Sequence, residues 1–158
     1  MRFIPSDLPI EVFRRRRAVV LISTLCAFAF HAQAGELKNI SIQDALTSDD
    51  AKLGLPDDIK FYFGDAKPEG TVTKTISQYS FNREINASLK SQIKACNSAL
   101  VVALKDLREA AKKEGANAVI NIKSNTKGKA LSSQEIFACD SGMLKSGVSI
   151  SGDLVVIE

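Results

Sequence analysis

The chain has 158 residues, 45% of them hydrophobic and 25% charged, and a formal net charge of +3. Residues 1–34 carry that whole surplus, five arginines against Asp7 and Glu11, so residues 35–158 hold 16 basic and 16 acidic side chains. A neutral domain lacks the one-sided excess of Lys and Arg that phosphate binding requires, which argues against nucleic acid or anionic lipid as a partner.

The first element reads as an export signal. Arg14 to Arg17 precede an apolar run of 13 residues, Ala18 to Phe30, and Ala32-Gln33-Ala34 supplies the small-x-small pattern of a signal peptidase site. Cleavage is expected between Ala34 and Gly35, leaving residues 35–158 as a single domain with no integral membrane anchor. A spanning helix would need about 20 apolar residues, more than this run supplies. Cys26 is a poor lipidation site, because bulky Leu25 precedes it and Ala27-Phe28-Ala29-Phe30 continue the apolar stretch. Cleavage removes His31, the only histidine.

The next stretch, Leu37 to Leu55, reads as a linker passing into a short N-terminal helix. Ser41 can cap a turn through Ile42-Gln43-Asp44, Ser48 with Asp49 and Asp50 can start another, and Gly54 and Pro56 end it. Ile59 to Phe63 alternates like a strand and is followed by a turn at Gly64-Asp65. Thr71 to Phe81 predicts a second strand, with Val72, Lys74, Ile76 and Gln78 on one face and Thr73, Thr75, Ser77 and Tyr79 on the other. From Ser88 to Glu114 apolar residues recur at helical spacing: Ile93, Cys96, Leu100, Leu104, Leu107 and Ala111. Lys112 and Lys113 suit the negative end of that helix, and Gly115 its left-handed terminator, with Asn117 completing the helix–strand turn.

A strand follows from Ala118 to Ser124, with Ala118, Ile120 and Ile122 on the buried side. Asn125 to Ser132 reads as a polar loop. Ser133 to Cys139 is another strand, Asp140-Ser141-Gly142 a turn, and Gly147 to Ile157 the last strand, burying Val148, Ile150, Leu154 and Val156. The order predicts an α+β fold: a mostly antiparallel sheet of about five strands, one long helix packed on one face, and a short N-terminal helix.

Two cysteines remain after cleavage, Cys96 on the long helix and Cys139 at a strand end. An oxidising compartment favours a disulfide between them, which would staple helix to sheet. The alternatives are two buried thiols or half of a metal site, although a lone pair without histidine or C-x-x-C spacing makes a poor zinc centre.

Little else in the inventory points to chemistry. Without histidine there is no Ser-His-Asp or Cys-His arrangement, and no spacing singles out a Ser-Lys pair. Gly128-Lys129 lacks the upstream glycine and following hydroxyl of a phosphate-binding loop. Asp49/Asp50 and Asp57/Asp58 lack the spacing of a calcium loop. Neither a cofactor nor a metal is expected.

The stretch from Ala95-Cys96 through Leu107 and Ala110, then Glu114-Gly115-Ala116-Asn117-Ala118-Val119-Ile120-Asn121-Ile122, then Phe137-x-Cys139-x-x-Gly142, resembles a family of small exported proteobacterial proteins. These often carry the label "excinuclease ATPase subunit", although the nucleotide motif that label needs is missing. The chain is more distantly similar to the signalling domain of the Rcs envelope-stress lipoprotein and to YbjQ-type domains. The resemblance implies an α+β domain, and its Rcs arm a disulfide-stabilised sensor working by protein contact. The expectation is thus a non-enzymatic periplasmic protein, an envelope-associated binding or stress-related module of unknown partner. The alternatives are a thiol-redox protein using Cys96 and Cys139 or a small metal-binding module.

Overall fold

A computed structural model describes residues 35–158; Ala32 and Ala34 of the expected cleavage site lie outside them, and Gly35 is the first described residue. The elements in chain order are β1 (Glu36–Ser41), α1 (Ile42–Leu46), α2 (Asp49–Gly54), β2 (Lys60–Phe63), β3 (Val72–Asn86), α3 (Gln92–Glu114), β4 (Ala118–Thr126), β5 (Lys129–Leu131), β6 (Ile136–Ser141) and β7 (Lys145–Ile157).

The α+β class holds, but the sheet is larger and mixed. It has seven strands, ordered β1-β6-β7-β4-β2, with β3 paired to β7 and β5 paired to β4. The expected mostly antiparallel sheet of about five strands is corrected by β2, which lies parallel to β4. Parallel neighbours need a long crossover, and β3 with α3 supplies it. Two strands escape the sequence pattern. β1 is rich in polar residues and earns its place by pairing with β6 along its whole length. β5 is three residues long and follows a tight turn in which Lys127 (φ 54°) and Gly128 (φ 72°) are both left-handed. The single short helix expected near the N-terminus is two, α1 and α2, each started by a serine whose hydroxyl accepts a backbone N–H, Asp44 to Ser41 and Ala51 to Ser48.

Strand β7 is the centre of the sheet. It pairs with β3 from Lys145 to Ile157, and with β6 and then β4 on its other side. Val148, Ile150 and Leu154 enter the core from it. Gly152 continues that inward row, and a Cβ there would lie 2.6 Å from Val119 Cγ1. Glycine is required because the β4 side chains occupy the space a side chain would take.

Two bulges shift the inward faces relative to simple alternation. In β4 the register slips between Ile120 and Lys123, where Asn121 is left-handed at φ 54°. Val119 and Ile122 therefore join the core, while Ile120 is only half-buried. In β3 the slip between Thr75 and Ser77 lets Ile76 and Tyr79 both pack against the core, although strict alternation would separate them.

Helix α3 starts later than its periodicity predicts, at Gln92, with Ser91 accepting from Lys94 N–H. It is buried on every side from Ala95 to Val101, because the sheet covers one flank and α1 with α2 the other. Leu100, Leu104 and Leu107 are fully enclosed. Ile93 is the exception: it is 55% exposed on the first turn, outside the reach of either layer. Burying one leucine is worth about 2 kcal/mol, so the three enclosed leucines anchor the layers together.

Candidate functional site

The Cys96–Cys139 disulfide joins α3 to β6, with the two Cα atoms 5.9 Å apart and a sequence separation of 43. Both residues are 0% exposed. In the loop-entropy account a bridge of that span stabilises the fold by about 4 kcal/mol. Thiol–disulfide exchange needs an attacking thiolate to reach a sulfur, and the surrounding packing denies that approach.

The bridge secures a strand that the backbone ladder holds weakly. β6 pairs with β7 only through Asp140 and Ser141 next to the hairpin, and then diverges. Two buried hydroxyls on β4 close the gap. Ser124 Oγ accepts from Ala138 N–H at 2.9 Å, while Thr126 Oγ1 donates to the Ala138 carbonyl at 2.7 Å and accepts from Ser149 N–H at 3.1 Å. Buried backbone groups left unpaired would be costly, so these side chains replace a missing stretch of ladder.

Gly115 and Asn117, singled out in the sequence as a turn, form a structural node. Gly115 is left-handed at φ 76°, and Ala116 N–H returns to the Ala111 carbonyl at 2.8 Å, ending α3. Asn117 then acts as a surrogate strand. Its Nδ2 donates to the Ile157 carbonyl and its Oδ1 accepts from Ile157 N–H, both at 2.8 Å. Its own carbonyl accepts from Lys60 N–H at 3.2 Å, so one residue links β2, β4 and β7.

Charged groups cluster along α3. Arg108 binds both oxygens of Asp58, and Lys112 Nζ adds a third contact at 3.0 Å. The Arg108 guanidinium, with Lys112 behind it, holds the Asp58 carboxyl far below the usual carboxylate range. Further toward the helix start, the Ser98 hydroxyl donates to Asp50 and accepts from Lys90 Nζ. The Ser98 hydrogen bond lowers the Asp50 pKa, with Lys90 and Lys105 adding to it. Among the described residues no three His, Cys, Asp or Glu side chains gather as a metal site requires. No helix among them is long and apolar enough to cross a membrane.

An open groove of about 510 Å³ lies between α1, β2 and the approach to β6. Leu46, Phe61 and Tyr62 give it a half-buried apolar lining, and Gln43, Gln134 and Glu135 stand at its polar margin. The walls are pinned: Ile42 N–H donates to the Glu135 carbonyl at 2.8 Å, and Gln134 Nε2 donates to Asp65 Oδ1 at 2.7 Å. Apolar surface with a few fixed polar groups is the composition of a binding site. These residues come from three separate stretches and carry no shared motif, so sequence reading had no signal for them.

The expected site residues do not meet. Cys96 and Cys139 are joined inside the core, Gly115 and Asn117 lie at the far end of α3, and Gly35 sits beside Asp140 at the start of β1. No family model, no curated protein and no solved structure matches this chain, so the reading of its function rests on its own residues and geometry.

Proposed function

We propose that this chain is an exported, non-enzymatic module of the bacterial envelope that acts by contact with another envelope component. The observation that carries the reading is the enclosed Cys96–Cys139 bridge, which suits folding in an oxidising compartment. The leader pattern before Gly35 and the resemblance to small exported proteobacterial proteins support the same reading. The groove lined by Leu46, Phe61 and Tyr62 is the surface best suited to that contact.

The thiol-redox alternative is less favoured, since cycling cysteines need exposure and a lowered pKa, and both sulfurs here are sealed. The metal-binding alternative lacks a ligand cluster among the described residues.

Intact mass spectrometry of protein recovered from its host, without reductant, tests the reading. The expected mass is that of a chain starting at Gly35 and lacking two hydrogens. An uncut cytosolic polypeptide with Cys96 and Cys139 both open to alkylation would refute it. A photo-cross-linking residue at Gln43, on the groove margin, should capture an envelope component that the same probe at exposed Lys123 does not. Equal labelling from both positions would remove the groove from the proposal.

A further inference from the structure

Strand β3 is a long edge of the sheet, guarded only by bulges at its start and by the charges of Lys74, Arg83 and Glu84. From Ser77 to Asn86 it keeps one unbroken register with β7, and among the described residues its other edge meets no strand. It contains no proline, and its bulges lie only at its start, before Ser77. A long, regular edge is a template for another strand. The Asn82 carbonyl shows how the edge is served at present: Arg83 Nη1 donates to it at 3.1 Å.

The side chains favour a second copy of this strand. On the helix side stand Tyr79, Phe81, Arg83 and Ile85, all half-buried. Tyr79 and Phe81 stack with centroids 6.1 Å apart, and Arg83 sits 5.7 Å from the Phe81 centroid. On the opposite side stand exposed Gln78, Ser80, Asn82, Glu84 and Asn86. In an antiparallel pair, opposed residues share a face, so a twofold axis must pass through a residue. An axis through Arg83 or Glu84 would oppose like charges.

We propose that two copies of this chain pair along β3, antiparallel, with the twofold axis at Asn82. In that register Phe81 meets the other copy's Arg83, Tyr79 meets Ile85, Ser80 meets Glu84 and Gln78 meets Asn86. No like charges oppose, the Arg83 cation can cover a second Phe81 ring, and the aromatic row loses its remaining exposure. An isologous contact of this kind closes on itself and stops at a dimer with one continuous sheet. The pairing does not depend on where the protein resides.

Sedimentation equilibrium of the purified protein tests it. The wild type should be a dimer. Asn82→Lys and Asn82→Glu place like charges on the axis, so each alone should be a monomer that keeps the folded circular-dichroism spectrum, and an equimolar mixture should regain the dimer. Asn82→Cys should cross-link to itself on mild oxidation, whereas Lys123→Cys on β4 should not. A wild type that stays monomeric at its highest soluble concentration overturns the proposal. So does a mixture that fails to reassociate, or an Asn82→Cys variant that cross-links only to a different polypeptide.

Discussion

The two sides of β7 are built on different principles. Toward β3 the strand is held by an antiparallel ladder that runs unbroken from Ser77 to Asn86, with no covalent help and one exposed ion pair, Lys145–Glu84, across it. Toward β6 the ladder fails after Asp140 and Ser141, and a disulfide, two buried hydroxyls and the β1 pairing take over. A continuous ladder tolerates polar surroundings, because every second residue exchanges a pair of bonds with its neighbour. A strand that departs from its neighbour needs specific side chains at specific positions, and those positions are intolerant of change.

Removing the covalent link should break the comparison most strongly. Cys96→Ala with Cys139→Ala is expected to lose about 4 kcal/mol of unfolding free energy by urea titration. Hydrogen exchange should then show β1 and β6 opening before β3 and β7. If both sides open together, the asymmetry is illusory.

Thr126→Val comes next. It keeps the shape but leaves the Ala138 carbonyl and Ser149 N–H unpaired inside the fold, at a cost of about 3 kcal/mol. A loss below about 0.5 kcal/mol would mean that the β6–β7 gap is not closed by hydroxyls.

Gly152→Ala probes the strand that both sides share. The new methyl would press on Val119 and Ile122, and the expected loss is about 2 kcal/mol, read as a shift in thermal midpoint. An unchanged midpoint would show that β4 and β7 have slack between them.

The smallest effect is expected from acid. Asp58 has its folded pKa depressed by Arg108 and Lys112, so its contribution is complete above the unfolded value of about 4 and is lost as pH falls through the folded one. Stability should therefore fall between about pH 4 and pH 2, and Asp58→Asn should flatten that limb while lowering the neutral-pH midpoint by the same small amount. An unaltered acid slope would place the sensitivity elsewhere.

The long helix was legible because eleven apolar residues between Ala95 and Ala111 outweigh any local ambiguity, and its end because Gly115 and the lysines before it suit a terminus. The strands of the sheet's middle were legible for the same reason. The faces of β3 and β4 were not, unlike that of β7, because the bulges at Asn121 and beyond Thr75 shift the alternation and leave no mark in the sequence. β1 was hidden because its pairing, not its composition, makes it a strand. The parallel placement of β2 is a long-range choice that four residues cannot encode. The buried cysteines had a signature, whereas the groove residues Phe61, Gln43 and Gln134 meet through folding alone.

The position of β7 governs the order in which this molecule can fold. The final strand of the chain is the one on which β3, β4 and β6 all converge, so until it has been delivered the other strands have no common neighbour to assemble against. A polypeptide with that wiring has high contact order, and its sheet commits to structure only once β7 is available to the strands that precede it.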